Sequence, residues 1–343
     1  MSKMKLIITS SLALITITIL LLGGYIVKEL NHTYSGTDQE FTIRPGMGFS
    51  RVNHKLQQQG LIDNTRIFHY YTKYTDRLDK LKAGTYNIPS GTNMMDILTI
   101  LTEGIPILTK VTIPEGKNMF EIGKLLEENK ITSYKDFIKT CRDKKIIKSL
   151  KIDAPSLEGY LFPETYMFSK GTPAKEVVQT MLKQFKAVTA SLDLDETFLS
   201  PHEVVILASI VEKETGAKWE RPTIAGVYIN RLHKKMRLQA DPTTIYGIWE
   251  NYNGNLRKKH LLEKTPYNTY KISGLPLGPI ANPSLAAIKA VLNPEEHDYI
   301  YFVSKNDGTH VFTPTYKKHL EAVEYWQKNY RNRKGKSWRD LKQ

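Results

Sequence analysis

Cysteine is nearly absent: of 343 residues only Cys141 carries a thiol. No internal disulfide can form, so stability must come from packing, and Cys141 reads as a buried, inert side chain. His202, His233, His260, His310 and His319 are scattered without ligand spacing, so no metal or other cofactor is expected. Charge is missing altogether from residues 6–27. As a helix this run of roughly 22 residues spans about 33 Å, enough to cross a bilayer. It is longer than the apolar part of a usual signal peptide and no small-x-small cleavage site follows it, which argues against its removal. Acidic residues are short as well, 35 against 49 Lys and Arg, giving a formal charge of +14. Such an excess suggests an anionic neighbour.

Lys3 and Lys5 precede the uncharged run. The positive-inside rule therefore leaves residues 1–5 in the cytoplasm, treats 6–27 as a single-pass transmembrane helix, and sends everything after Lys28 outside the cell membrane. That topology excludes nucleic acid as the partner. The positive charge is read as attraction to lipid head groups or wall polymers, or as a solvated basic surface. The basic tail, residues 329–343, is expected to be a frayed, solvated end.

Beyond the anchor a pattern repeats. FTIRPGMGFSRVNHKLQQQGLI begins at Phe41, and VTIPEGKNMFEIGKLLEENKIT begins at Val111, with Gly46 and Gly116 as corresponding turn residues. Each reads as strand, turn, helix, with Val52 and Leu56, or Ile122 and Leu126, at i and i+4 on the apolar face. Between them Gly84, Thr85 and Tyr86 suggest a second strand, and Gly91 a turn before a helix from Met94 to Leu101. The pattern resembles the LysM module, a small domain that binds N-acetylglucosamine-containing glycans. It divides the chain into a LysM-like module at 34–107 and a second strand-helix unit at 110–152, with a boundary near Pro155. Residues 157–328 form a third region of long helical patterns separated by loops dense in Pro, Gly, Asn and Tyr, which suit a binding groove. The expected fold is α+β: a transmembrane helix, LysM-like modules and a mixed catalytic domain.

Within the third region, SPHEVVILASIVEKETG delimits a helix. Ser200 suits the N-cap, Pro201 the first helical position, Glu203 a capping box and Gly216 the stop. Near its end stand two carboxylates. Glu214 has Leu207, Ile210 and Val211 at i−7, i−4 and i−3, whereas Glu212 has Val205, Ala208 and Ser209. Large apolar neighbours and the helix C-terminus both disfavour a charged carboxylate, so Glu214 is shaped as a general acid.

Around it lie LEGYLFPETY, IAGVYINRLHKKMRLQADPTTIYG, TPYNTYKISGLPLGPIANPSLAAIKAVLNP and YIYFVSKNDGTHVF. These strings resemble the YceG-like family of endolytic murein transglycosylases, also called the MltG family. The resemblance implies that Glu214 is the catalytic glutamate, that peptidoglycan glycan strands are the substrate, and that no metal or cofactor takes part. Glu164 stands where many members carry Asp, so Glu158 and Glu164 are read first as groove or structural residues. Gln239, Asp241, Tyr246, Asn268 and Tyr270 offer the amides, hydroxyls and aromatic faces a sugar groove needs, and are the expected substrate-binding residues. Asn230 and Arg231 are expected to orient the acid, and the Gly274-to-Pro279 segment to shape the cleft wall. Two other readings stay open: a hydrolase with Asp241 or Glu164 as second carboxylate, and a non-catalytic scaffold recruiting cell-wall synthesis or division proteins.

Overall fold

The computed structural model describes residues 2–195 and 197–333. Most of the basic tail, residues 334–343, lies outside the described residues, as does Met1. The chain divides into two compact units. One is formed by Met1–Lys110, Asn129–Ile131 and Met167–Pro173, the other by Val111–Glu128, Thr132–Tyr166 and Ala174–Gln343.

The first unit starts with α1 (Ser2–Asn31), followed by β1 (Gln39–Ile43), α2 (Phe49–Gln58), α3 (Thr65–Tyr74), β2 (Gly84–Ile88) and α4 (Met94–Glu103). Within α1, Ile8–Asn31 is long and apolar enough to cross a membrane, with a mean hydropathy of 2.1 and none of its most apolar stretch buried. β1 and β2 pair antiparallel with Phe41 opposite Tyr86 and Ile43 opposite Gly84. Period-2 alternation sends Phe41, Ile43, Tyr86 and Ile88 to one face. There they meet Val52, Leu56, Phe68, Ile97, Leu98 and Leu101 in one core. Gly46 and Gly91 hold φ of +76° and +81°, the left-handed conformation their turns demand. Helix α3 is an addition to the sequence reading. Its start is fixed by Asn64, whose side chain accepts from the backbone N–H groups of Arg66 and Ile67.

The chain continues through β3 (Thr109–Thr112), α5 (Met119–Glu128), α6 (Tyr134–Cys141), α7 (Lys144–Ser149), β4 (Thr165–Phe168), α8 (Ala174–Thr189), α9 (Pro201–Glu214), α10 (Arg221–His233), α11 (Asp241–Gly247), α12 (Lys258–Leu262) and α13 (Leu285–Leu292). It ends with β5 (Tyr301–Ser304), β6 (His310–Thr313), α14 (Tyr316–Val323), a π turn at Glu324–Lys328 and α15 (Tyr330–Arg333). β3 pairs with β4 and β5 with β6. Of the stretch 110–152, expected as a unit of its own, Val111–Glu128 and residues 132–152 fall in this larger unit, and Lys110 and Asn129–Ile131 in the first. Gly116 N–H donates to Asn282 O at 3.0 Å, Asn282 N–H returns to Lys117 O at 3.0 Å, and Met119 N–H at the start of α5 donates to Glu158.

Helix α9 is the axis of this second unit. Every residue from Val204 to Val211 is buried, as expected of a helix apolar on all sides. Ser200 and Glu203 form the full capping box and Pro201 opens the helix. Helices α10, α11 and α13 pack on it. The crossing of α10 with the chain after α13 depends on Gly226, where a Cβ would lie 2.5 Å from Glu295 O and 2.8 Å from His297 Nε2. Cys141 is fully buried, and burial pushes its thiol well above the ordinary range.

Candidate active site

The two carboxylates at the end of α9 have opposite fates. Glu212 is ion-paired to the buried Arg221 guanidinium at 2.7 Å, and its other oxygen accepts from Ser284 N–H and Ser284 Oγ at the start of α13. All its lone pairs of consequence are committed to joining α9, α10 and α13, so it serves the fold. Glu214 faces a cleft of ≈ 310 Å³ lined also by Tyr228, Arg231, Leu238, Gln239, Asp241, Tyr270, Tyr301, Phe302, Tyr316 and His319. The Tyr228 hydroxyl donates a hydrogen bond to its Oε1 at 2.8 Å.

Burial raises the Glu214 carboxyl to about 7, and the negative charge of Asp241 pushes the same way. The Tyr228 hydrogen bond and the positive charge of Arg231 oppose them. A carboxyl poised near neutrality can give a proton and take one back in the same cycle. Tyr228 sits on α10 and was not singled out from the sequence. Its position seven residues after Arg221, on the face of α10 turned to α9, is the signal that could have found it. The ring stands edge-on to Phe302 with centroids 5.9 Å apart, and its hydroxyl is held protonated by burial and by Glu214.

Of the five expected binding residues, the cleft brings together three. Gln239 is exposed at φ +51°, a left-handed backbone uncommon outside glycine. Asp241 opens α11 and accepts from the Tyr270 hydroxyl at 2.7 Å. Asn268 is not available to a ligand. It is fully buried, its Nδ2 donates to the carbonyls of His260, Leu261 and Glu263, and its Oδ1 accepts from Thr244 Oγ1 and Tyr270 N–H. Tyr246 lies at the other end of α11, its hydroxyl donated to Glu158 at 3.0 Å. Its ring lines a different cavity with Phe120, Trp249 and Tyr267. Glu164 is exposed and accepts from Thr165 N–H, away from the residues lining the cleft.

Glu158 is a structural keystone. It accepts from Met119 N–H with both oxygens, from Tyr246, and from Asn282 Nδ2 at 2.7 Å. Burial outweighs these donors and lifts its carboxyl to about 8. Asn230 and Arg231 hold the wall rather than touch the acid. Asn230 Nδ2 donates to His297 O and Tyr299 O, Arg231 Nε to Ile300 O at 2.7 Å and Nη1 to Leu238 O at 2.6 Å. Together they fix the segments leading into β5 and α11, and Arg231 lines the cleft with Glu214. Among the described residues no group of three or more His, Cys, Asp or Glu side chains could hold a metal ion.

The chain matches the model of the YceG-like family over residues 41–325. A Bacillus subtilis protein named endolytic murein transglycosylase is 33% identical over 308 residues, covering 84% of this chain and 85% of that one. A Streptococcus pneumoniae protein of the same name is 30% identical over 297 residues, and the chain spans about half of its length, 53%. The crystal structure of a yceG-like protein from Listeria monocytogenes superposes with a TM-score of 0.58 at 32% identity, covering 84% of this chain and 99% of that one. The family match over residues 41–325 and the 33% identity across most of both chains show that the chain belongs to the YceG-like family.

Proposed function

We propose that the protein is a membrane-anchored lytic transglycosylase that cuts peptidoglycan within its glycan strands, with Glu214 as general acid and base. The observation that carries this reading is Glu214 itself: a carboxyl raised to about 7, hydrogen-bonded by Tyr228, on the wall of a cleft rich in hydroxyls and rings. The name shared by the relatives supports the substrate.

Protonated Glu214 gives its proton to the oxygen joining N-acetylmuramic acid to N-acetylglucosamine, and the bond from that oxygen to muramic C1 breaks. The carboxylate left behind, stabilised by the Tyr228 hydroxyl, takes the proton of the muramic C6 hydroxyl as that oxygen closes on C1. The product is a 1,6-anhydro ring, no water is consumed, and Glu214 is again protonated. Asp241 keeps the resting acid protonated by its charge.

Asp241 also carries the second reading, a hydrolase, because it places another carboxylate in the same cleft. A digest in ¹⁸O-labelled water separates the two. Hydrolysis puts the label on the new muramic end, whereas transglycosylation leaves it out. Unlabelled anhydro ends support the transglycosylase, and labelled reducing ends overturn it.

Helix α1 supports an N-terminal anchor with the catalytic unit outside the cell, and the strand-helix-helix-strand order of the first unit supports its reading as a LysM-like module. A cutter so tethered reaches glycan close to the membrane, where new strands emerge.

A further inference from the structure

One wall of the cleft comes from β5 and α14, which contribute Tyr301, Phe302, Tyr316 and His319. Tyr316 is 60% exposed although its ring centroid is 5.8 Å from that of Tyr301. A tyrosine kept for packing turns its ring inward, as Tyr86 does in the core of the first unit at 1% exposure. His319 lies one turn further along α14, its ring stacked on Tyr301 with centroids 5.1 Å apart and planes 23° from parallel. Its Nδ1 is shut off from solvent and makes no hydrogen bond among the described residues, so Nε2 is the ring nitrogen left for a ligand in the cleft that His319 lines. The wall is built to stay in place. Glu220, itself buried, accepts from both His310 N–H and His310 Nδ1 on β6. Asn306 Nδ2 and Gln327 Nε2 tie the β5–β6 turn to the π turn that follows α14, and such turns recur at functional sites.

We propose that Tyr316 and His319 form a sugar-binding subsite facing Glu214, Tyr316 offering its exposed ring to the apolar face of one hexopyranose and His319 a hydrogen bond to a polar substituent of the same sugar. The imidazole acts neutral, since burial and the Arg231 charge both disfavour its protonation. The proposal rests on the glycan reading of the cleft and extends it to residues outside α9–α11.

The test uses the full chain in detergent and a tetrasaccharide of alternating N-acetylglucosamine and N-acetylmuramic acid. Titration calorimetry on the Glu214→Gln background measures binding, and steady-state cutting of longer strands measures kcat and KM. Tyr316→Ala and His319→Ala are expected to weaken binding about tenfold and to raise KM by a similar factor with kcat changed less than about threefold. Tyr316→Phe keeps the ring and should bind as the parent does, and His319→Gln should recover part of the loss. Thermal melts identical to the parent exclude unfolding as the cause, which the exposure of Tyr316 favours. If wild type cuts strands and both alanine variants keep parental binding and KM, the subsite is refuted while the glycan reading stands. If wild type neither cuts nor binds, both fall together.

Discussion

Removing the Tyr228 hydroxyl isolates the hydrogen bond it donates to Glu214. In Tyr228→Phe the ring keeps its edge-on contact with Phe302, so the change is close to the loss of the 2.8 Å bond alone. A hydrogen bond to a carboxylate contributes roughly 1.5–3 kcal/mol, and one to the neutral acid roughly 0.5–1.5 kcal/mol. The difference, about 1–1.5 kcal/mol, is about one pH unit. The sign follows from which form is favoured. The hydroxyl stabilises the ionised acid, so its loss raises the proton affinity of Glu214 from about 7 toward about 8. Two effects should appear in the pH profile of kcat/KM on purified glycan strands between pH 5 and 9. The alkaline limb, where the acid loses its proton, moves up by about one unit. The plateau below it drops roughly tenfold, because the same hydroxyl stabilises the carboxylate formed when the proton is given away. A limb that stays in place, or moves to lower pH, would show that Tyr228 does not govern the proton of the working acid.

Glu158 gives a prediction in stability. The unfolded carboxyl titrates near 4.5 and the folded one near 8, so the folded state binds the extra proton between those values. Stability is then full below pH 4.5, falls by up to ~1.4 kcal/mol per unit as pH rises toward 8, and is flat above. Urea titrations of Glu158→Gln should lose this share of the slope, seen most cleanly between pH 7 and 8, above the range in which Glu214 adds its own; an unchanged slope there would assign it to another group. Asn268→Ala leaves several buried backbone groups unpaired and should cost about 2–4 kcal/mol while KM of the folded fraction changes less than in Tyr270→Ala. A larger KM effect at Asn268 than at Tyr270 would return Asn268 to the groove. A form exported by a cleavable signal peptide in place of residues 1–31 should cut strands in solution as wild type does, yet fail to restore a deletion strain. Full restoration would reduce α1 to an export signal.

What the sequence made legible was mostly local. The limits of α9 followed from Ser200, Pro201 and Glu203 because capping depends on neighbours three residues apart. The apolar setting of Glu214 followed from i−3, i−4 and i−7 for the same reason. The first unit was read from turn glycines and alternating strands, although α3, marked by Asn64 alone, was passed over. Assigning loop residues was harder. Asn268 and Tyr270 are two apart, yet one is sealed inside and the other lines the cleft, and an irregular segment has no period from which to read that. Tyr246 was drawn to the cleft by its closeness to Asp241, but α11 carries its two ends to different cavities. The wall of Tyr301, Tyr316 and His319 was illegible, because only tertiary packing brings residues so far along the chain to Glu214. Glu158 could not be placed either, since three of its donors come from Met119, Tyr246 and Asn282, each distant in sequence.

The central claim is that Glu214 alone supplies the proton for an intramolecular cleavage. The most direct measurement is mass spectrometry of the ends released from purified, peptide-free glycan strands by wild type and by Glu214→Gln, matched for folding by thermal melt. The account predicts internal fragments bearing 1,6-anhydro-muramic ends from wild type, and a rate at least about 10²–10³ lower for the glutamine variant. Cutting by Glu214→Gln at the wild-type rate, or reducing muramic ends from wild type, contradicts it.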